Sequence, residues 1–418
     1  MSFAYRGGEL CAEHVPLSDI ASRHGTPCYV YSAAAIEGAF REFQDELAGR
    51  PSLVCYSVKA NSNLSVLALL ARLGSGFDIV SGGELARVLA AGGDPAKVVF
   101  SGVGKTAAEI KAALSAGILS INLESEQELF RVNEIAGTLG LRAPVAFRVN
   151  PDVDAKTHPY ISTGLKKNKF GVAFADAEAL YLRAAGLPHV RLVGIGCHIG
   201  SLMMDSGPFV DAAARVVDLV ERLARSGIAL DHIDLGGGMG IRYRDTDPAP
   251  APIASFIQGA VDALGGRREL LMVDPGRSIV GNAGVLLTRV EYLKPGEEKN
   301  FAVVDAAMND LVRPSLYDAW HEVRNCRADA ESDTPSGVYD VVGPVCESGD
   351  FLAQDRKLAV RVGDLLAILS AGAYGMAMSS NYNSRPRAAE VMVRGAEARL
   401  VRPREAVDQL FATERELL

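Results

Sequence analysis

No window of the 418-residue chain reaches the ~18 uninterrupted apolar residues of a membrane span. Met1 to Leu10 ("MSFAYRGGEL") lacks the apolar core of a secretory signal. Positive charge is short as well. Forty-three Lys and Arg face 51 Asp and Glu, and the net charge of -8 favours solubility while offering nothing to nucleic acid or an anionic membrane. Cysteine is sparse and scattered: Cys11, Cys28, Cys55, Cys197, Cys326 and Cys346 each stand alone. There is no C-x-x-C, no H-E-x-x-H and no Cys–His pairing at zinc spacing, so no metal site is expected. Single thiols fit a reducing compartment, and the expected location is the cytoplasm.

What is present is an apolar, globular composition, 48% hydrophobic and 22% charged. The length exceeds one ordinary domain, so two are expected, one of them the size of an α/β barrel of about 250 residues. From residue 53 to about 280 one plan recurs: a short apolar strand, a polar or Gly-rich turn, and an Ala/Leu-rich helix. The strands read "LVCYSV" at 53, "FDIV" at 77, "VVFS" at 98, "LSINL" at 119, "PVAFRV" at 144, "VGIGCH" at 193, "HIDL" at 232 and "ELLMV" at 269. Helical stretches include "ELARVLAAG" at 84, "TAAEIKAALSAG" at 106, "SEQELFRVNEIAG" at 125 and "FVDAAARVVDLVERLARSG" at 209, ending on glycine in the manner of a C-cap. Continuous apolar strands alternating with amphipathic helices imply a parallel sheet covered on both faces. Eight units favour a closed (β/α)8 barrel of TIM type over an open doubly wound sheet.

In a barrel the strand ends would share one mouth, where such folds carry their chemistry. Lys59 follows the first strand, Asp78 lies in the second, Arg148 ends the fifth and His198 the sixth. "GGGMG" (236–240) follows the seventh strand and "DPGRS" (274–278) the eighth. A lysine at a strand tip is ordinarily a solvated cap, and a lone histidine ordinarily a core residue. Company changes both readings. Lys59 offers an amine nucleophile, the glycines offer backbone N–H groups to a phosphate, Arg277 offers a cation and Asp274 a carboxylate. An amine, an acid and a phosphate cradle on one rim describe a pyridoxal 5'-phosphate site.

After residue 285 the pattern turns β-rich and broken by Gly and Pro, as in "FAVVDAAM" and "VYDVVGPV". A second, mostly β domain is expected there, a sandwich or barrel, with "TPCYVYS" at 26 pairing into it. The expected boundaries are 36–282 for the barrel, and 1–35 with 283–418 for the β domain.

"YSVKAN", "HIGS", "DLGGGMG", "DPGRSIVGNAG", "MNDLVRPSLYDAW", "GPVCESGDFLAQD" and "GAYGMAMSSNYNSRPRAAEV" together resemble the fold-type III, alanine-racemase-like pyridoxal-phosphate decarboxylases, over essentially the whole chain. That resemblance implies that Lys59 holds the cofactor through its amine and that His198 stacks on the cofactor ring. Ser201, Gly238, Asp274, Pro275, Gly276, Arg277 and Tyr374 are implied to bind cofactor, with Asp274 facing the ring nitrogen. The family usually carries Glu at that position, so this chain is one methylene shorter. Cys346 is implied as the proton donor, supplied with Glu347 by the second subunit of a homodimer. A lone cysteine is usually core, but Cys346 sits in the polar, Gly-rich "PVCESGD". Arg277, Arg313, Tyr317, Glu347 and Tyr374 are implied to line the substrate, and "RPSLY" as a helix would turn Arg313 and Tyr317 the same way.

Two arginines, a tyrosine and an acid suit a substrate with a second amino-acid end. The expected reaction is therefore decarboxylation of meso-2,6-diaminopimelate to L-lysine. Decarboxylation of ornithine, lysine or arginine on the same fold is the main alternative. A racemase would need bases on both faces of the substrate carbon. A non-catalytic cofactor carrier would have no use for the β domain with its "CESGD".

Overall fold

The computed structural model describes residues 2–153, 169–415 and Leu417. Its chain divides into two units. One comprises Met1–Gly38, Arg242–Pro248 and Ile279–Leu418, and the other Ala39–Ile241 and Ala249–Ser278.

The second unit is the barrel. Its strands are β1 Ser52–Ser57, β2 Gly76–Ile79, β3 Val98–Phe100 and β4 Ser120–Leu123. They continue as β5 Ala143–Asn150, β6 Val190–Gly196, β7 His232–Asp234 and β8 Leu270–Val273. Each pairs in parallel with the next, and β8 pairs back onto β1, so the ring is closed rather than open. All eight coincide with the apolar runs of the sequence. Runs this short and continuous bury both faces, one against the barrel interior and one against helices. Cys55, Val99 and Met272 pack together in this core, with Cys55 acting as a small hydrophobe.

The helices also lie where periodicity puts them, at Gly82–Ala90, Ala107–Ala116, Glu126–Thr138 and Gly207–Arg225. Thr106 and Glu109 form a capping box and Gly117 closes the same helix in the left-handed conformation. Gly137 differs from the C-cap expectation, since the helix runs past it to Thr138. A Cβ at Gly137 would lie 2.8 Å from the His189 ring, so this glycine serves a close approach instead of a helix stop.

The other unit is built on a nine-stranded sheet. Its long strand Gly284–Lys294 pairs antiparallel with Asn300–Val304, Leu365–Ile368 and the N-terminal strand Cys28–Ser32. Cys28–Ser32 pairs in parallel with Ala389–Arg394 on its other side. The N-terminal segment is thus an interior strand of the β domain. No helix among the described residues is long and apolar enough to cross a membrane.

Candidate active site

β1 ends at Ser57, and a single 3-10 turn, Val58–Ala60, carries Lys59. Asn61 Oδ1 then accepts from the Asn63 N–H, and Asn63 Oδ1 from the Ser65 N–H, capping the helix Leu64–Arg72. These two Asx contacts stop the strand and fix the turn that presents the lysine.

Lys59 Nζ donates to Asp78 Oδ2 at 3.0 Å, and Ser57 Oγ donates to the same oxygen at 3.1 Å. The Lys59 side chain is 36% exposed and that of Asp78 only 1%, so the amine reaches outward from a buried anion. Burial pushes the Asp78 carboxyl up, but the charge of Lys59 and hydrogen bonds from Ser101, Lys59 and Ser57 outweigh it and hold the group below its usual value.

Asp274 follows β8 under opposite conditions. Burial, reinforced by Asp78, pushes its carboxyl up to about 8 against the pull of Lys59 and Arg148. Among the described residues its Oδ1 has no hydrogen-bond partner; His198 Nδ1 lies 3.6 Å away. Burial, with Arg148 and Lys59 adding to it, holds His198 down at about 3, so the imidazole is neutral at pH 7. The Gly237 N–H points at its Nδ1 from 3.4 Å, consistent with an acceptor there. Asp234, buried near Asp274, is likewise pushed well above the carboxylate range.

Lys59, Asp78, Arg148, His198, Asp234 and Asp274 all line one cavity of about 450 Å³. Beside it, Arg277 opens the short helix Arg277–Val280 and donates to Ser201 Oγ at 3.1 Å. The loop through Gly238 lies against the loop through Met203, joined by Met203 N–H to Gly238 C=O and Gly240 N–H to Met203 C=O. Gly238 has φ +89°, and a Cβ there would stand 2.0 Å from the Gly200 carbonyl oxygen. A Cβ at Gly276 would meet Ala60 and Ser57 at 3.0 Å. At Gly238 only glycine lets the two backbones approach so closely, whereas at Gly276 a Cβ would press on neighbouring side chains. Gly238→Ala is accordingly expected to cost about 1–3 kcal/mol of stability, read from the chemical-unfolding midpoint. An unchanged midpoint would mean that the loop adapts without strain.

Arg313, Tyr317, Cys346, Glu347 and Tyr374 belong to the other unit. "RPSLY" is a helix, Arg313–Tyr317, with Pro314 in its first turn. Ser315 Oγ donates to the Gly349 carbonyl at 2.6 Å, which ties this helix to the loop of Cys346 and Glu347. The Cys346 N–H donates to Asn383 Oδ1 at 2.9 Å, and Cys346 is the one exposed cysteine of the six. Tyr374 takes the left-handed φ of +57°, uncommon for a tyrosine and a mark of a constrained position.

The sequence places Asp78 in the second strand and Arg148 at the end of the fifth without assigning either a role, and it does not single out Asp234 or Glu124. Glu124 accepts from Arg148 at 3.2 Å and from the N–H groups of Gly102 and Gly171, holding Arg148 at the cavity wall. The usable signal is an acid within an apolar strand, as at Asp234, or directly after one, as at Glu124, because a buried carboxylate needs a partner.

A family model described as the pyridoxal-dependent decarboxylase, pyridoxal binding domain matches residues 33–281. The diaminopimelate decarboxylase of Pseudomonas aeruginosa is 60% identical, over 99% of this chain and 98% of that protein. That of Vibrio cholerae is 56% identical, over 97% of each. Among solved structures, diaminopimelate decarboxylase from Helicobacter pylori complexed with L-lysine superposes with a TM-score of 0.92 at 43% identity, covering 96% of this chain and 100% of that one. The enzyme from M. jannaschii in co-complex with L-lysine gives a TM-score of 0.93 at 37% identity, covering 100% and 99%. With its barrel inside the matched domain and nearly its whole length aligned at such identity, the chain belongs to the diaminopimelate decarboxylase family of pyridoxal-dependent decarboxylases.

Proposed function

We propose that this chain decarboxylates meso-2,6-diaminopimelate to L-lysine and CO2 with pyridoxal 5'-phosphate as cofactor. The observation that carries the reading is the barrel cavity, where the outward-reaching amine of Lys59 and the unpartnered Oδ1 of Asp274 line one space. When bound, the cofactor supplies an aldehyde that condenses with amines and a protonated ring that would take up the electron pair left on carbon as CO2 departs. The residues present suit that group. A cationic N–H donor facing Asp274 would give its orphaned oxygen a partner and hold the carboxyl ionised. Gly238 and Gly276 offer backbone N–H groups, Ser201 a hydroxyl and Arg277 a guanidinium to a phosphate, and Pro275, which has no N–H to give, fixes the backbone of the loop between them.

The division of labour follows. Lys59 is the amine that holds the cofactor, and Asp78 keeps it oriented while idle. Neutral His198 offers a flat, uncharged face to the ring and so does not compete with Asp274 for its proton. Arg277, Arg313, Tyr317, Glu347 and Tyr374 bind the substrate, Tyr374 also touching cofactor. Cys346 delivers a proton from Sγ to the carbon that has lost CO2. The domain reading stays at 36–282 for the cofactor barrel, and 1–35 with 283–418 for the β domain. The working form is a homodimer in which Cys346 and Glu347 act in the partner's site, and the compartment is the cytoplasm, which suits six cysteines outside any disulfide.

The test of the overall reaction is product analysis with meso-diaminopimelate: L-lysine and CO2 in equal amounts are expected, and their absence in cofactor-loaded protein overturns the reading. Cys346→Ala is expected to bind substrate normally and lose about 10²-fold or more in turnover. If the thiol acts across the dimer, mixing inactive Lys59→Ala and Cys346→Ala chains should restore part of the activity. Verified mixed dimers that stay inactive would place both residues in one subunit.

A further inference from the structure

Arg313 is 3% exposed and His321 0%, so the groups touching them set their behaviour. Arg313 Nη1 lies 2.8 Å from His321 Nε2, and His321 Nδ1 lies 2.8 Å from the Leu369 carbonyl oxygen. A carbonyl only accepts, so Nδ1 carries the hydrogen. A guanidinium only donates, so Nε2 presents its lone pair. The neutral Nδ1–H tautomer alone satisfies both contacts, an assignment made from the network. Held through a neutral acceptor, the guanidinium keeps its full charge, whereas a carboxylate at the same place would cancel it.

Tyr243 completes the holder. Its ring lies 4.8 Å from the Arg313 guanidinium and meets the His321 ring edge to face, with centroids 5.3 Å apart. Tyr243 is itself pinned. Its neighbour Arg244 stacks at 3.6 Å on Trp320, and Asp245 pairs with Arg324 at 2.5 Å.

We propose that His321, with Tyr243 as platform, is the positioning residue that aims the Arg313 guanidinium at the substrate's distal carboxylate and so sets specificity for a second amino-acid end. The inference rests on the reading of Arg313 as a substrate ligand. The role assigned to His321 is exerted through Arg313.

Decarboxylation at one end of diaminopimelate leaves the far amino-acid end intact, so the product L-lysine retains the carboxylate in question. The compound 1,5-diaminopentane is lysine without it. The experiment is therefore a calorimetric titration of cofactor-loaded enzyme with each of these two ligands. In His321→Leu and His321→Asn, L-lysine affinity is expected to fall roughly 10-fold to 100-fold, while diaminopentane affinity stays within about twofold. Asn keeps the bond to Leu369 but falls short of Arg313, so it tests the idea even if the Leu variant folds poorly. His321→Gln places an amide oxygen where Nε2 was and is expected to recover most of the L-lysine affinity.

A wild-type preference for L-lysine that persists in both variants overturns the assignment of His321. So does an equal loss for the two ligands, or no recovery with Gln. If wild-type enzyme itself binds the two ligands alike, what fails is the role of Arg313, and the inference falls with it.

Discussion

Borohydride treatment of the loaded enzyme is expected to fix the cofactor covalently on the peptide containing Lys59, and Lys59→Ala to lose turnover on the order of 10⁴-fold or more. The size follows from the role, since removing a covalent anchor removes a route rather than a contact. The Lys59 amine is poised by its surroundings: it donates to Asp78 at 3.0 Å, and Asp78 is itself held ionised in a buried setting. Mass spectrometry of the reduced protein reads the labelled peptide, and a discontinuous CO2 assay reads turnover. Label on another lysine, or none in protein that binds the cofactor, would sink the assignment. Substitution of Asp78 should act in the same direction with a smaller effect, because it disturbs the amine's orientation and charge without removing it.

Much of this was legible in the sequence because it is local. Eight short apolar runs announce strands buried on both faces, and Asn61 and Asn63 announce the turn behind Lys59 by their own hydrogen-bonding habits. The glycines of "GGGMG" read as N–H donors for a phosphate; the close approach of the Gly200 carbonyl to where a Gly238 side chain would be is a further constraint on the same loop. What the sequence hid is set by partners far along the chain. Gly137 reads as a helix stop, yet its constraint is the ring of His189. The apolar runs around Asp234 and Asp274 point to burial, but they do not show the neighbouring carboxylates that add to it in pushing these groups up. His321 looks like a stray histidine after "DAW"; its meaning comes from Leu369 on one side and Arg313 on the other. Periodicity records burial, but it does not record which buried groups face each other.

Substrate choice carries the second large effect, and the argument is one of charge. Any amino-acid decarboxylase needs to hold one α-carboxylate near the ring. The proposed substrate ligands go further, with Arg277 and Arg313 as cations, Tyr317 as a donor and Glu347 as an anion. A distal amino-acid end answers them, its carboxylate meeting the arginines and the tyrosine, and its ammonium meeting Glu347. Arginine grips a carboxylate through two parallel N–H bonds, and hydrogen bonds to charged groups contribute roughly 1.5–3 kcal/mol each. Arg313 is nearly sealed from water. A substrate without the distal carboxylate forgoes those bonds. Diaminopimelate should thus be preferred over lysine and ornithine by on the order of 10²–10⁴-fold in kcat/KM. Arg313→Ala should narrow that gap from one side, harming diaminopimelate far more than lysine. Measured with CO2 release from a panel of amino acids, equal rates on ornithine, lysine and diaminopimelate in the wild type would return the decision to a basic amino-acid decarboxylase. A variant that loses all substrates in proportion would mean that Arg313 supports the fold rather than the choice.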